Sequence, residues 1–410
     1  MSFNYKMIFL WFICFCFLTV NSIKSYAGNG FYGGEMYYKH LHGSVYKFYM
    51  VVYSNCTGLT PDPPKIEITD GTTTKLYADT ICCSSNYNLG FNSGQCTLCS
   101  GSCSFAFGIQ FITYYATIDV GSFSGCNLTA SFSYCCSYYK ITTGGGNEEV
   151  YVNCKLNRCN GDHNAPVFQE PGQFLMNVSK PVDIYQTATP YNINDSMVYR
   201  LVPPLKDSIH PTTFSAGYEY SFPMTYAGIS PTDSIPGGFH YFQNSGRLFF
   251  VPQQTDESLM SIEADEYAKN SSGNWYLAGT TTKTLTLICS KLKSSNDLPQ
   301  VAPIKEAPND TLYTCAGTSL AIQFKTTDPD NHKDTMVLMN IVNETGGTFN
   351  FNGNQAEGAL FSWTPANANV RKQPYKIIMM AEDALYPMGD FSQKAFYIVV
   401  KDSMPVFSIK

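Results

Sequence analysis

The sequence predicts an all-β protein: tandem β-sandwich domains behind a cleaved signal peptide. Three observations carry this expectation. Charged residues make up only 14% of the 410-residue chain while aromatics reach 15%; an average soluble protein has roughly 25% charged residues. Short β-branched and aromatic runs are interrupted by Gly, Pro and Asn, the punctuation of strands and turns. After the first 27 residues no sustained 3.6-residue apolar period occurs, so helices should be few and short. The same composition is unlike that of disordered segments, which are charge-rich and aromatic-poor.

The N-terminus is the first element. Lys6 gives a positive end, residues 7–20 form an apolar run, and Ser25-Tyr26-Ala27 offers a small-x-small cleavage site. Residues 1–27 therefore read as an export signal. That run is too short to span a bilayer comfortably, and no later segment matches it, so no transmembrane segment is expected in the mature chain. The formal net charge of −6 becomes −8 when Lys6 and Lys24 leave with the signal. There is no basic run to neutralise phosphates, which argues against nucleic acid as a partner. Cysteine usage agrees with export. Of 15 Cys, Cys14 and Cys16 leave with the signal, and 11 of the remaining 13 lie between Cys56 and Cys159. A dense cluster in an exported chain reads as disulfides, and an odd number leaves at least one thiol free or bonded between chains.

The first domain, residues 28–162, is Cys-rich, with strands expected at 45–53, 65–69 and 110–120. The second, 163–297, has strands at 197–202, 246–251 and 284–289. In the last of these Leu285, Leu287 and Cys289 share one face and Thr284 and Thr286 the other. Residues 293–297 resemble a linker. The third domain, 298–402, has strands at 321–324, 336–341, 375–381 and 395–400, and 403–410 is a tail. The second and third each have the size of one immunoglobulin-like sandwich.

Several motifs then fall into a known order. Gly33-Gly34-Glu35-Met36-Tyr37, the strand ending Tyr53-Ser54-Asn55-Cys56, Tyr134-Cys135-Cys136 and Asn164-Ala165-Pro166-Val167-Phe168 resemble exported surface proteins of Bacteroidota. That family is often described as gliding-motility-associated or type IX-secreted. Asp195-Ser196-Met197, Asp265-Glu266-Tyr267, Trp363-Thr364-Pro365 and Ala381-Glu382-Asp383 continue the likeness. The resemblance implies cadherin-like or PKD-like repeats in the second and third domains. Seven Asp-Ser/Thr-apolar triplets, Asp195 among them, resemble the family's O-glycosylation pattern, or serve as ordinary turns.

The best site candidate is the acidic turn Asp328, Asp330 and Asp334, with Asp383 further along. Alternating carboxylates on a turn can converge on a hard cation, here Ca²⁺, or can simply cap their own backbone. The resemblance adds that cadherin-like repeats carry such acidic turns. The equivalent turn of the second domain, Pro190 to Asp195, lacks most acids and reads as degenerate, even with Asp265 and Glu266 available. Cys96, Cys99 and Cys103 have partial metal-ligand spacing, but an oxidising compartment favours structural bridges. The adjacent pairs Cys82-Cys83 and Cys135-Cys136 should each bond different partners, because strand neighbours face opposite ways. Cys289 and Cys315, alone in the distal half, are expected to pair and stiffen the junction of the second and third domains.

Catalytic signatures are missing: there is no G-x-S-x-G, H-E-x-x-H or P-loop. His40 and His42 read as an exposed strand pair, and Glu148-Glu149 as solvated charge beside a Gly loop. Tyr37, Tyr38, Tyr138, Tyr139, Trp275 and Tyr276 could stack on sugars or pack in a core. The expectation is a non-enzymatic exported protein of the cell surface, extracellular space or periplasm, adhesive or structural, acting on a surface protein or glycan. A carbohydrate-binding module is the second reading and a polysaccharide-acting enzyme the third.

Overall fold

The computed structural model describes residues 30–402, apart from 56–62, 78–81, 90–108, 139, 170–174, 193, 228–237, 292–296, 305, 306, 308, 330–335, 352–357 and 384–389. The expected export signal, most of the linker, the 96–103 cysteines and the tail lie outside the described residues.

Among the described residues the regular elements are all strands, apart from one short 3-10 turn at Asn367–Asn369. The first eight strands are β1 (Phe31–His42), β2 (Val45–Asn55), β3 (Ile66–Thr69), β4 (Thr74–Tyr77), β5 (Cys82–Leu89), β6 (Ile109–Asp119), β7 (Asn127–Tyr134) and β8 (Val150–Asn157). Next come β9 (Val167–Phe168), β10 (Leu175–Asn177), β11 (Val182–Tyr185), β12 (Ala188–Thr189), β13 (Ser196–Val202), β14 (His240–Phe242), β15 (Arg247–Phe250), β16 (Glu257–Lys269) and β17 (Trp275–Ser290). The last group is β18 (Gln300–Val301), β19 (Thr311–Cys315), β20 (Leu320–Thr327), β21 (Met336–Asn343), β22 (Thr348–Phe351), β23 (Gly358–Trp363), β24 (Tyr375–Asp383) and β25 (Phe391–Lys401).

Strand alternation builds the first region. On β2, Phe48, Met50 and Val52 point to one face, and on β6 Ile112, Tyr114, Ala116 and Ile118 do the same. Opposite them stand Ile66 and Ile68 of β3, the even residues of β7, and Val150, Val152, Cys154 and Leu156 of β8. Two layers thus enclose one core, and both belong to a single 12-stranded sheet that runs β4-β3-β7-β8-β17-β1-β2-β6-β5.

That order runs across the boundary expected at 162/163. Strand β17 belongs to the second region by sequence, yet it completes the sheet of the first. One of its edges pairs with β16 from Trp275 to Ile288. The other edge is divided: Gly279 to Thr281 pair with β8, Thr282 to Leu285 with β1, and Ile288 to Ser290 in parallel with β10. The two layers of the first sandwich therefore meet on one strand that arrives from far down the chain.

The approach of β1 to β17 needs glycine. Gly33 has φ of 131°, and a Cβ there would lie 1.9 Å from the Thr284 carbonyl oxygen. At Gly34 it would meet the Val51 carbonyl oxygen at 2.6 Å. The glycine pair of the opening motif is thus a consequence of close backbone contact. Beside it, Glu35 stands directly opposite Lys283. Lys283 is fully buried, its ammonium 5.1 Å from the centre of the Phe168 ring. Burial raises the Glu35 pKa; Lys283 and Tyr53 oppose that shift.

The outer face of β1-β2-β6 is buried in turn. Tyr32, Val51, Tyr53 and Phe111 join Leu175, Ile184, Leu248, Phe250, Met260, Leu285 and Leu287 in a second core shared by the first two regions. The face assignment for 284–289 holds: Leu285, Leu287 and Cys289 enter this core, while the Thr284 hydroxyl meets Ser261 and that of Thr286 donates to the Tyr32 carbonyl.

The third region is a separate sandwich. Sheets β18-β20-β23-β22 and β19-β25-β24-β21 face each other over a core from Val301 to Val400. Its second sheet turns Val342, Ile378 and Ala395 outward, and Tyr185 of β11 packs on them with Tyr397 alongside. The Tyr185 amide donates to Gln393 Oε1 at 2.8 Å, and Lys180 pairs with Asp297 at 3.3 Å.

The expected junction disulfide is absent. Cys289 and Cys315 are both free thiols. Cys289 lies in the shared core with its Sγ 3.6 Å from Met224 Sδ, whereas Cys315 ends β19 in the third sandwich. The junction is closed by the apolar Tyr185 contact instead. Cys154 is also free and buried. Cys126 and Cys159 are bonded, in agreement with a disulfide-braced first region. Cys135 and Cys136 are bonded to each other, a correction to the expectation of separate partners. They follow the end of β7 at Tyr134, so the alternation of a strand does not govern them.

Candidate functional site

Four acids, Glu257, Glu263, Asp265 and Glu266, lie on β16. Alternation sends Glu263 and Asp265 to one face and Glu266 to the other. On the first face Lys155 of β8 pairs with Glu263 at 2.8 Å, and Arg200 of β13 reaches Glu263 and Asp265, each at 2.5 Å. The Thr280 hydroxyl of β17 donates to Asp265 at 2.7 Å. Burial works to raise Glu263, but hydrogen bonds and charge from Lys155 and Arg200 prevail and hold it below its ordinary range. Asp265 is raised, chiefly by burial. These groups are committed to one another across β8, β13, β16 and β17, and they tie the first region to the second.

On the opposite face Glu266 meets the turn that the sequence marks as degenerate. Glu266 Oε1 accepts the amides of Tyr191 at 2.6 Å and Asn192 at 3.3 Å. Asp195 lies against the same carboxyl. His163 sits alongside, its ring edge-on to those of Tyr191 and Tyr276, each 5.8 Å away, with its Nε2 bonded to the Tyr276 hydroxyl. The turn has too few acids for a cation cage, yet it keeps one carboxylate pair. Asp195 ends the turn ahead of β13 and Glu266 lies on β16, so the fold brings the acid expected near this turn directly against it.

The remaining candidates fall as follows. Asp330 and Asp334 lie outside the described residues. Asp328 directly follows β20 and is half-buried. Asp383 ends β24, where its backbone pairs with Met336 at the start of β21, so the topology brings the ends flanking the acidic turn to one end of the sandwich. Among the described residues no group of three His, Cys, Asp or Glu is placed to hold a metal ion. Of the histidine pair expected to be exposed, His42 is, but the His40 side chain is only 9% exposed and its Nε2 lies 2.9 Å from the Gly43 carbonyl. Glu148 is not solvated as expected: it accepts the Thr213 amide at 2.9 Å and lies 3.3 Å from Lys206. Glu149 is exposed.

Of the aromatics weighed for sugar stacking, Tyr38 and Tyr138 are core residues, and Tyr139 lies outside the described residues. Tyr37 is half-buried and stacks on Tyr49 with centroids 4.7 Å apart, and Tyr276 is engaged with His163. Trp275 is 51% exposed, with the Lys269 ammonium 4.7 Å from its ring centre.

These sheets define an all-β chain of packed β-sandwiches. No family model and no curated protein matches it. Among solved structures it is similar to Protocadherin Gamma B2 extracellular cadherin domains 1-5, at 11% identity and a TM-score of 0.21, with 83% of this chain and 53% of that chain covered. It is also similar to the tandem Ig repeats of Dlar, at 12% identity and a TM-score of 0.23, covering 58% of this chain and 96% of that one. For mouse Cadherin-23 EC22-24 the figures are 14% identity, a TM-score of 0.19, and coverage of 72% and 80%. The chain spans about half the length of the protocadherin structure. Among the described residues no helix is long and apolar enough to cross a membrane.

Proposed function

We propose that this chain is a non-enzymatic, exported surface protein whose work is structural or adhesive, with rigid β modules presenting a surface to a protein or glycan partner. The observation that carries the reading is mechanical continuity. Strand β17 joins the first two regions in one sheet, and Tyr185 seats the third sandwich on them. A force applied at one end passes through hydrogen-bonded strands and a packed junction, not through a slack linker. The test is Ile378→Asp, which buries an unpaired charge under Tyr185. Small-angle scattering should show the variant longer and more heterogeneous than the parent, with the third sandwich still folded. Identical scattering profiles would defeat the rigid-coupling reading.

Exposed Trp275 favours glycan binding as the second reading. Saturable glycan-array binding abolished by Trp275→Ala would put that reading first, and polysaccharide turnover by the pure chain would overturn both. Calcium at Asp328, Asp330, Asp334 and Asp383 belongs to this proposal, as a brace for the third sandwich. Millimolar Ca²⁺ should then raise the Tm relative to chelator, and Asp330→Asn should remove the difference. Equal Tm values in the parent would discard the site.

A further inference from the structure

The turn ahead of β13 hangs from one buried carboxylate. Glu266 is 0% exposed and Asp195 is 7% exposed. Both backbone amides that close onto this carboxylate go to Oε1, and the Asp195 amide folds the turn back by donating to the Asn192 carbonyl at 2.9 Å. The other oxygens, Glu266 Oε2 and Asp195 Oδ2, are buried without a hydrogen-bond partner. Two carboxyls in contact at a buried site do not both stay ionised, because each charge opposes the other and neither is hydrated. A single proton between them supplies the missing donor. A cation would need more ligands than two carboxyls provide, and no third His, Cys, Asp or Glu completes a set among the described residues.

We propose that Asp195 and Glu266 share one proton, and that this proton latches the turn carrying Tyr191, Asn192 and Asp195 to β16, so that the turn opens when the proton leaves. The charged or titratable groups acting on the pair come from three neighbouring elements. His163, ahead of β9, favours the ionised form of Asp195. Tyr38 of β1 and Tyr276 of β17 are held neutral: burial, and then nearby groups that include Glu266, raise both phenols. Burial first, and the Asp195 charge with it, push Glu266 up to about 8 against the Asn192 and Tyr191 amides, which favour its ionised form. An unfolded chain would already have released that proton at neutral pH. The folded chain therefore binds more protons between the ordinary glutamate range and about 8. Across that window stability falls as pH rises, and below it the pair contributes no such loss.

The experiment is amide hydrogen exchange at Tyr191 and Asn192 in the full chain, corrected for intrinsic base catalysis, on either side of pH 8. In the parent, protection should fall by up to about tenfold for each pH unit above the midpoint, the limit set by one released proton. Glu266→Gln keeps an acceptor for both amides and gives Asp195 a permanent donor, so its protection should stay flat. Asp195→Asn removes the opposing charge and should also stay flat, which preserves the comparison if the first variant folds poorly. Parent protection as flat as that of the variants would overturn the latch. So would protection at neutral pH that a chelator abolishes, because a cation would then hold the pair.

Discussion

Gly33 has no room for a side chain. Its Cβ would enter the Thr284 carbonyl group, and its φ is one that L side chains rarely adopt. Gly33→Ala should therefore cost about 3 kcal/mol or more, through strain and a displaced β1–β17 ladder. Gly273 in the β16–β17 turn is the control: its φ is +80°, but nothing lies within 4 Å of the added carbon. Gly273→Ala should cost only about 1–2 kcal/mol. Denaturant midpoints of the two variants check the contrast, and equal losses would mean that β1 can give way to the intruding atom. The cysteines offer a second comparison at this scale. Burial pushes the Cys289 thiol up to about 12 and raises Cys154 further. A maleimide should label Cys315 in the native chain, and Cys154 and Cys289 only after unfolding. Native labelling of Cys289 would contradict its place in the shared core.

At the scale of elements, the local pattern was easy to read and the pairing was not. The runs at 45–53, 336–341, 375–381 and 395–400 all became strands, extended by a few residues, because apolar alternation is written in adjacent residues. Strand β17 was half-seen. The expected strand began at 284, whereas the ladder begins at Trp275. Gly279, the threonines at 280–282 and Lys283 lower the apparent hydrophobicity, yet all are buried or covered, with hydroxyls bonded to Asp265, Pro166 and Asn153. A buried polar strand looks like a loop when its hydrogen-bond partners are not its neighbours in sequence, and two of these three lie more than a hundred residues away. The Cys289–Cys315 expectation failed for a related reason: isolation in sequence says nothing about which face a side chain takes. For the site, residue types were legible, and Glu266 is expected near the Pro190–Asp195 turn, but the contact between the two carboxyls is not written in the sequence. Asp195 and Glu266 were both singled out, but His163, Tyr185 and the Glu35–Lys283 pair carried no local signal.

At the scale of the whole molecule, two bodies emerge where three domains were expected. Residues 298–402 own their core and should fold alone. Residues 28–162 should not, because they leave β1 and β8 without the β17 edge and expose Tyr32, Val51, Tyr53 and Phe111 to water. Nuclear magnetic resonance of the two fragments tests this. Dispersed amide signals are expected from 298–402 and collapsed ones from 28–162, and a well-dispersed spectrum from 28–162 would restore the boundary at 162/163.

The hydroxyl of Thr286 bonds the carbonyl of Tyr32 across 254 residues of chain. At roughly 5–20 residues per second on the ribosome, the strand that closes the first sheet emerges roughly 10–50 s after its partner. Throughout that interval β1 offers bare amides and carbonyls to any passing strand, so newborn copies must be kept apart until β17 arrives.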